Sequence, residues 1–139
     1  MIQLVVAGGV VLFLDQWTKR MIQGHAAQGG LSLGPAVRLR RVLSRSPGYT
    51  RPYGRVALLL TWCVALGSTV VLYRSGAGFQ SEVALWGVGA ALGGAAGNLL
   101  DILRRRAVVD FIDLGWWPVF NLADVGIVTG LLIAFWPWS

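Results

Sequence analysis

Four stretches of apolar residues dominate the chain and predict four membrane-spanning helices. Each is about long enough to cross a hydrocarbon core roughly 30 Å thick as a helix. Tryptophan and tyrosine residues fall mostly near the ends of these stretches, where their amphipathic rings favour the membrane interface. No basic segment precedes the first stretch and a poor cleavage site follows it, so we expect a retained helix rather than a signal peptide. The predicted spans are 1–17, 56–73, 83–100 and 118–138.

The pattern changes between the first two stretches. Within residues 20–55, apolar residues alternate with polar or basic ones and are interrupted by glycine and proline, which predicts short strands or a hairpin. We expect this segment to form a small cradle on the membrane surface. The turn-like connection at 74–82 predicts that the second and third helices are antiparallel neighbours. The predicted fold class is an all-α membrane protein, in which 1–139 form one integral-membrane domain of four transmembrane helices and a surface β/loop cradle.

The third stretch carries a row of small residues. Gly89, Gly93 and Gly97 recur at every fourth position, and Asp101 continues the row. On a helix such a row forms a groove that another helix can approach closely. We expect this groove, or a neighbouring one, to hold another apolar helix.

Composition supports the membrane assignment and narrows the chemistry. The chain has 139 residues, of which 55% are hydrophobic and 13% charged, unlike a soluble domain of this size. Cys63 is the only cysteine of the sequence and His25 the only histidine. We therefore expect neither a disulfide framework nor a zinc or iron–sulfur site, and we assign neither residue a role. The net charge is +6, but the arginines lie between apolar spans, which favours anionic lipid headgroups over nucleic acid as the partner.

The acidic residues are few and unevenly placed. Four of the six acids lie within 101–124, at the edges of predicted spans, where a carboxylate is costly and marks a functional site by default. Asp110 lies in a short extended-looking run after the third helix, and Asp124 begins the apolar part of the fourth. A tight return between these helices would bring both to one membrane depth. Two carboxylates that share a proton can act as general base and general acid on a water that attacks a peptide bond, as in aspartic proteases.

Other roles for acids remain open at this point. Structural ion pairs also collect carboxylates, and for Asp113 we prefer such a role, with the arginines at 104–106 as partners. Asp15 and Lys19 are four residues apart on one helical face, a pair that is more often structural than catalytic. A small carrier that relays protons through intramembrane acids is a further alternative.

Four motifs resemble those of the lipoprotein signal peptidases, also called signal peptidase II: LDQWTK at 14–19, GNLLD at 97–101, VVDFID at 108–113 and FNLAD at 120–124. The resemblance implies a multi-pass aspartic endopeptidase of the bacterial inner membrane, with its active site near the outer leaflet. It implies cleavage before the lipidated cysteine of diacylglyceryl-modified prolipoproteins by a monomer surrounded by membrane lipids, without metal or organic cofactor. The catalytic pair that it implies is Asp110 and Asp124, and we expect the groove of the glycine row, or a neighbouring one, to hold the signal helix of the substrate. The supporting residues that it implies are Asn98, Asp101, Asn121, Asp15, Lys19, Ser46 and Gly48.

Two positions depart from the family pattern. Ser46 stands where the family usually has asparagine, and Ile102 stands where it usually has arginine directly after the aspartate of GNLLD. Serine lacks the amide donors of asparagine, and isoleucine cannot replace an arginine contact to an oxygen. A specialised or non-proteolytic relative that binds lipidated proteins or lipid is therefore the alternative.

The basic residues give a topology that conflicts with the resemblance. Eleven of the twelve lysines and arginines lie in the first and third connections, and only Arg74 lies in the second. The positive-inside rule would place the first and third connections in the cytoplasm. The resemblance implies the reverse, with both termini cytoplasmic, and we follow it because the substrate is modified at the outer surface.

Overall fold

The computed structural model describes residues 1–25, 31–32, 36–46 and 50–137. Within them the chain is mostly helical and carries a small antiparallel sheet. Gly48 and Trp138, the last residue of the fourth predicted span, lie outside the described residues. In chain order the elements are α1 Ile2–His25, β1 Leu31–Ser32, β2 Arg38–Ser44, α2 Pro52–Arg74, α3 Glu82–Arg105, β3 Val108–Asp113 and α4 Leu122–Ala134.

Helix α3 lies at the centre of the helical bundle because its small residues allow two other helices to approach it. A Cβ atom at Gly93 would collide with the backbone of Gly8 in α1. On another face of α3, a Cβ atom at Gly87 would lie 2.6 Å from the carbonyl oxygen of Gly130 in α4. The close approach that the glycine spacing predicts is thus present.

The helix that lies in the groove of the glycine row is part of the protein and not, as we expected, a helix of the substrate. Helix α1 fills the groove, since a Cβ atom at Gly89 would collide with the backbone of Leu4 and one at Gly97 would lie 2.6 Å from Asp15 Oδ2. The groove is closed by the protein itself, so the expectation that it receives a substrate helix is wrong for this row. The reason is that α1 also carries small residues, among them Gly8, and can approach α3 as closely as a substrate helix would.

Helix α2 lies at the periphery of the bundle. Thr69 is its only buried residue, and Trp62 Nε1 donates a hydrogen bond to the carbonyl oxygen of Leu92 in α3 at 3.0 Å. The helix ends before Gly76, which takes a positive φ of 72° in the turn to α3. The hydroxyl of Ser81 then caps α3 by accepting from the Ala84 amide at 3.0 Å. As the short connection predicts, α2 and α3 are neighbours.

The sheet joins two distant parts of the chain. Strand β2 pairs with β1 on one side and with β3 on the other, both antiparallel, and Arg38 lies opposite Asp113 while Ser44 lies opposite Val108. Strands were expected before the second helix, and the run around Asp110 was expected to be extended. The pairing between β2 and β3 was not expected, and it brings the cradle against the acids.

The element bounds differ from the predicted spans at two places. Helix α1 continues to His25 instead of ending near residue 17, because Asp15 and Lys19 are buried inside the protein. Helix α4 has only 13 residues, because Asn121 caps its first turn and the preceding residues are extended or turn-like. Of the described helices, α2 and α3 are long and apolar enough to cross a membrane by length and composition.

Candidate active site

Asp110 lies in the middle of β3, on the side of the sheet that faces the helices, and is 6% exposed. Its Oδ1 accepts a hydrogen bond from Asn121 Nδ2 at 2.8 Å, and its Oδ2 accepts one from the hydroxyl of Ser44. Burial raises the pKa of the Asp110 carboxyl, and the charge of Asp124 raises it further, while the hydrogen bonds from Ser44 and Asn121 act in the opposite direction. The carboxyl is thus poised to hold a proton.

Asp124 lies in the first turn of α4, where local sequence fixes its position. Asn121 is the N-cap of the helix. Its side-chain Oδ1 accepts from the backbone N–H of Asp124 at 3.0 Å, and its backbone N–H donates to Asp124 Oδ2 at 3.1 Å. This reciprocal arrangement is a capping box, which the spacing Asn-x-x-Asp permits. An acid at a helix N-terminus is also favoured by the helix dipole.

Two asparagine side chains connect the two carboxyl groups. Asn121 Nδ2 donates to Asp110 Oδ1 and, at 3.0 Å, to Asn98 Oδ1. Asn98 Nδ2 in turn donates to Asp124 Oδ1 at 2.8 Å. The connection runs from β3 through α4 and α3, so it exists only when these three elements are packed together.

A buried cation lies behind this connection. Lys19 is 1% exposed, and its Nζ lies 2.7 Å from Asp15 Oδ2 and 2.8 Å from Asp101 Oδ2. Its third contact is to Asn98 Oδ1 at 3.1 Å. These three acceptors match the three donors of an ammonium group. Because Asn98 Oδ1 accepts from both Lys19 and Asn121, its amide nitrogen must face Asp124.

Comparison with known proteins identifies the family. The sequence model of the family described as Signal peptidase (SPase) II matches residues 7–138. The chain belongs to the signal peptidase II family. The lipoprotein signal peptidase of Rhodococcus jostii is 38% identical over 138 residues, which cover 94% of this chain and 69% of that protein. The lipoprotein signal peptidase of Pelotomaculum thermopropionicum is 36% identical over 129 residues, which cover 91% of this chain and 85% of that protein.

Similarity in structure extends over nearly the whole peptidase. A solved bacterial membrane enzyme with 20% sequence identity has a TM-score of 0.77 and covers 96% of this chain and 90% of that chain. At this identity the likeness shows a shared fold. The resemblance drawn from the four motifs is therefore confirmed at the level of the family, and this family member is a membrane enzyme of the peptidase class.

The remaining acids of the peptidase have separate partners. Asp113 pairs with Arg40 at 2.5 Å rather than with the arginines at 104–106, because β3 lies beside β2. The Gly115 amide and the Arg40 guanidinium lower the pKa of Asp113. Asp101 is fully buried, accepts from the Val109 amide at 3.2 Å, and pairs with Arg105 at 3.0 Å. These partners of Asp113 and Asp101 are thus distinct from the residues that connect Asp110 and Asp124.

Ser44 is the site residue that sequence reasoning missed. It is the last residue of β2, and its hydroxyl donates to Asp110 Oδ2. Because Ser44 lies opposite Val108, its side chain reaches Asp110 diagonally across the two strands. The period-2 pattern of the segment predicted a strand, but nothing in the sequence indicated its partner strand.

The two departures from the family pattern occupy different surroundings. Ser46 follows β2 and is half-buried, and its carbonyl oxygen accepts from the Thr50 amide at 3.2 Å. Ile102 is 5% exposed and lines a cavity of about 310 Å³ together with Asn98 and Val108. An apolar side chain therefore forms part of the wall where the family resemblance implies an arginine.

Two cavities lie beside the residues that connect the carboxyl groups. The 310 Å³ cavity, between α2, α3 and α4, has Asn98 in its wall. A second cavity of about 280 Å³ on α4 is lined by Trp117, Phe120 and Asp124 itself. Within the parts of the chain that the structure describes, no cluster of three or more His, Cys, Asp or Glu side chains has the arrangement of a metal site.

Proposed function

We propose that Asp110 and Asp124 are the catalytic pair with which this signal peptidase removes signal peptides from lipoproteins. The observation that carries the proposal is the connection of the two carboxyl groups through Asn121 and Asn98, beside cavities that reach Asp124 and Asn98. Membership of the family supplies the reaction, hydrolysis of a peptide bond, and its lipoprotein substrates. We place the cut before the lipidated cysteine of a diacylated prolipoprotein.

The reaction uses one shared proton. The ionised carboxylate takes a proton from a water molecule, and the water oxygen attacks the carbonyl carbon of the peptide bond. The protonated carboxyl gives its proton to the carbonyl oxygen, which yields a tetrahedral diol. The first acid then protonates the leaving nitrogen while the second takes a proton from the diol, so that the bond breaks and one proton remains on the pair. The raised pKa of Asp110 favours it as the member that holds the proton before attack.

The asparagines and the lysine act through the acids. Asn121 and Asn98 each donate to a carboxylate oxygen and thereby fix the direction of its remaining lone pairs. Lys19 holds Asn98 in the orientation that this requires. We assign Asn98, Asn121 and Lys19 as positioning residues, with Asp15 and Asp101 as the counter-charges that keep Lys19 buried.

The decisive experiment is the exchange of each carboxylate for an amide. Asp110→Asn and Asp124→Asn are each expected to reduce cleavage of a purified diacylated prolipoprotein in detergent by about 10²–10⁴-fold, because an amide can neither take nor give the required proton. Asp113→Asn is the matched control, since it removes an acid of the same strand whose ion pair is with Arg40 and not with the candidate site. Retained turnover in either of the first two variants would remove that residue from the mechanism.

A metal-dependent mechanism makes a different prediction for the same assay. The two-carboxylate reaction needs no ion, so a chelator is expected to leave the rate unchanged. Loss of turnover with chelator and its recovery with a divalent ion would overturn the proposed chemistry while leaving the substrate assignment intact.

For the membrane, we propose that α1 to α4 all cross the inner membrane of a bacterium, with both termini in the cytoplasm and the site near the outer leaflet. Helices α2 and α3 have sufficient length and apolar character. Helix α4 spans roughly 20 Å, so it needs neighbouring residues of the chain to complete the crossing. Labelling of Trp116→Cys but not Ala77→Cys by an impermeant thiol reagent on whole cells, in a Cys63→Ala background, is expected. The reverse pattern would invert the topology.

A specialised relative that binds lipoproteins without cutting them is the second candidate. Ile102 favours it, because this buried side chain gives an apolar wall beside Asn98 that cannot supply a charge-assisted hydrogen bond. Binding of a diacylated peptide without any cleavage by the purified protein, under conditions in which a relative cleaves the same peptide, would favour this candidate over the enzyme.

A further inference from the structure

The end of the protein that carries the candidate active site also carries an array of exposed arginines. Strand β2 holds two of them and a third follows its last residue, while the last turn of α3 and its C-cap, which lead into the neighbouring strand β3, hold two more. One further arginine lies immediately before α2. We define the arginine surface as Arg38, Arg41, Arg45, Arg51, Arg104 and Arg106, all of which are exposed.

The carboxylates of the chain do not neutralise this surface. All six acids lie within the described residues, and Asp113 and Asp101 pair with Arg40 and Arg105, which are not members of the surface. Asp15, Asp110 and Asp124 belong to the candidate active site, and Glu82 lies at the opposite end of α3. Within the described part of the chain, no member of the arginine surface forms an ion pair. Arg38 lies opposite Asp113 and its charge acts on that carboxyl, while the other members of the surface are free to meet an anion outside the chain.

The chemistry of the surface indicates phosphate as the anion. All its basic side chains are arginines, whereas the only lysine of the chain, Lys19, is buried. A guanidinium donates two parallel hydrogen bonds to a phosphate, and it is more weakly hydrated than an ammonium group. A surface built from arginine alone is thus suited to phosphate oxygens.

Aromatic residues at the same end indicate that the phosphate belongs to a lipid. Tyr53, Trp116 and Trp117 are 78%, 79% and 56% exposed. Tyr53 lies in the first turn of α2, and the two tryptophans follow the end of β3. Exposed tryptophan and tyrosine side chains at the ends of membrane helices sit at the level of the lipid headgroups. The arginine surface and these rings therefore lie at one depth.

We propose that the arginine surface binds the phosphate groups of anionic phospholipids in the leaflet next to the active site. This inference rests on the proposed function only for its consequence for catalysis: bound lipid holds β2 against the membrane, and β2 carries Ser44, which contacts Asp110. It also gives a physical reason for basic residues in the first and third connections, where the positive-inside rule alone would not place them in our topology.

The experiment measures lipid selectivity. The purified full chain is reconstituted into phosphatidylcholine bilayers, and the association of spin-labelled phosphatidylglycerol is compared with that of spin-labelled phosphatidylcholine. The wild type is expected to select phosphatidylglycerol, and added salt should weaken this selectivity. The triple variant Arg38→Gln, Arg41→Gln, Arg45→Gln should lose it, while the corresponding lysine variant should retain part because the charge remains. Equal selectivity in the wild type and the glutamine variant would overturn the proposal.

Two controls separate the surface from general charge effects. Arg41→Gln is compared with Arg74→Gln, which removes one exposed arginine at the opposite end of α2 and should leave selectivity unchanged. Soluble glycerol phosphate is added as a competitor. Displacement of the labelled lipid by equimolar glycerol phosphate would show that a free anion is the ligand and would overturn the assignment to lipid.

Catalysis provides the final readout. With phosphatidylglycerol present, the triple glutamine variant is expected to lower kcat for a diacylated prolipoprotein, because β2, whose Ser44 contacts Asp110, is no longer held against the membrane. If the proposed function fails, no bilayer supports cleavage, yet the lipid selectivity remains as described. If only the lipid proposal fails, cleavage proceeds without dependence on phosphatidylglycerol or on the arginines.

Discussion

Lys19→Met is expected to lower the free energy of unfolding by about 3–5 kcal/mol, the usual cost of removing one partner from a buried ion pair. Methionine keeps the apolar stem of lysine but leaves Asp15 and Asp101 without the ammonium group that lies 2.7 and 2.8 Å from their oxygens. Both acids are fully buried, so water cannot replace the cation. Asp101 retains Arg105 at 3.0 Å, which places the expected loss toward the lower end of the range.

The measurement is equilibrium unfolding in mixed detergent micelles, followed by tryptophan fluorescence. Arg20→Met is the matched control: it removes the next cation along the same helix, which is exposed, and should change stability by no more than about 0.5 kcal/mol. The double variant Lys19→Met, Asp15→Asn should recover part of the loss, because one uncompensated charge is then absent. A loss below about 1 kcal/mol for Lys19→Met, with no recovery in the double variant, would refute the reasoning.

Two further predictions concern packing and proton transfer. Gly93→Val should prevent the close approach of α1 and lower the yield of folded protein in detergent, whereas Gly9→Val, where no atom lies within 4 Å of an added Cβ, should fold normally; equal yields would contradict the packing account. Ser44→Ala removes a hydrogen bond that lowers the pKa of Asp110, so the limb at which activity falls with rising pH should move to higher pH. Ser44→Thr keeps the hydroxyl and should leave that limb in place, and an unchanged profile in Ser44→Ala would exclude this role.

Local sequence patterns and long-range packing contribute differently to the acid pair. The spacing Asn-x-x-Asp occurs twice, at 98–101 and at 121–124, and within a helix it places the amide and the carboxylate on one face. For Asn121 and Asp124 the spacing does connect the two residues, but as an N-terminal capping box. The amide of Asn98 instead donates to Asp124 on another helix, and Asp101 pairs with Lys19 and Arg105. Spacing within a helix fixes which residues share a face, but not which helix that face meets.

The sequence by itself determined the apolar character of the helices and the family through four ordered motifs, and it singled out the acids and asparagines proposed for the site, because hydrophobic period, turn residues and motif spacing are local properties. Tertiary structure decided that α1 fills the glycine row, that β3 pairs with β2, and that Ser44 reaches Asp110. These contacts join residues far apart in the chain, and each depends on shapes that form only when the helices have packed. The short α4 was likewise decided by its cap at Asn121 and not by the length of the apolar stretch.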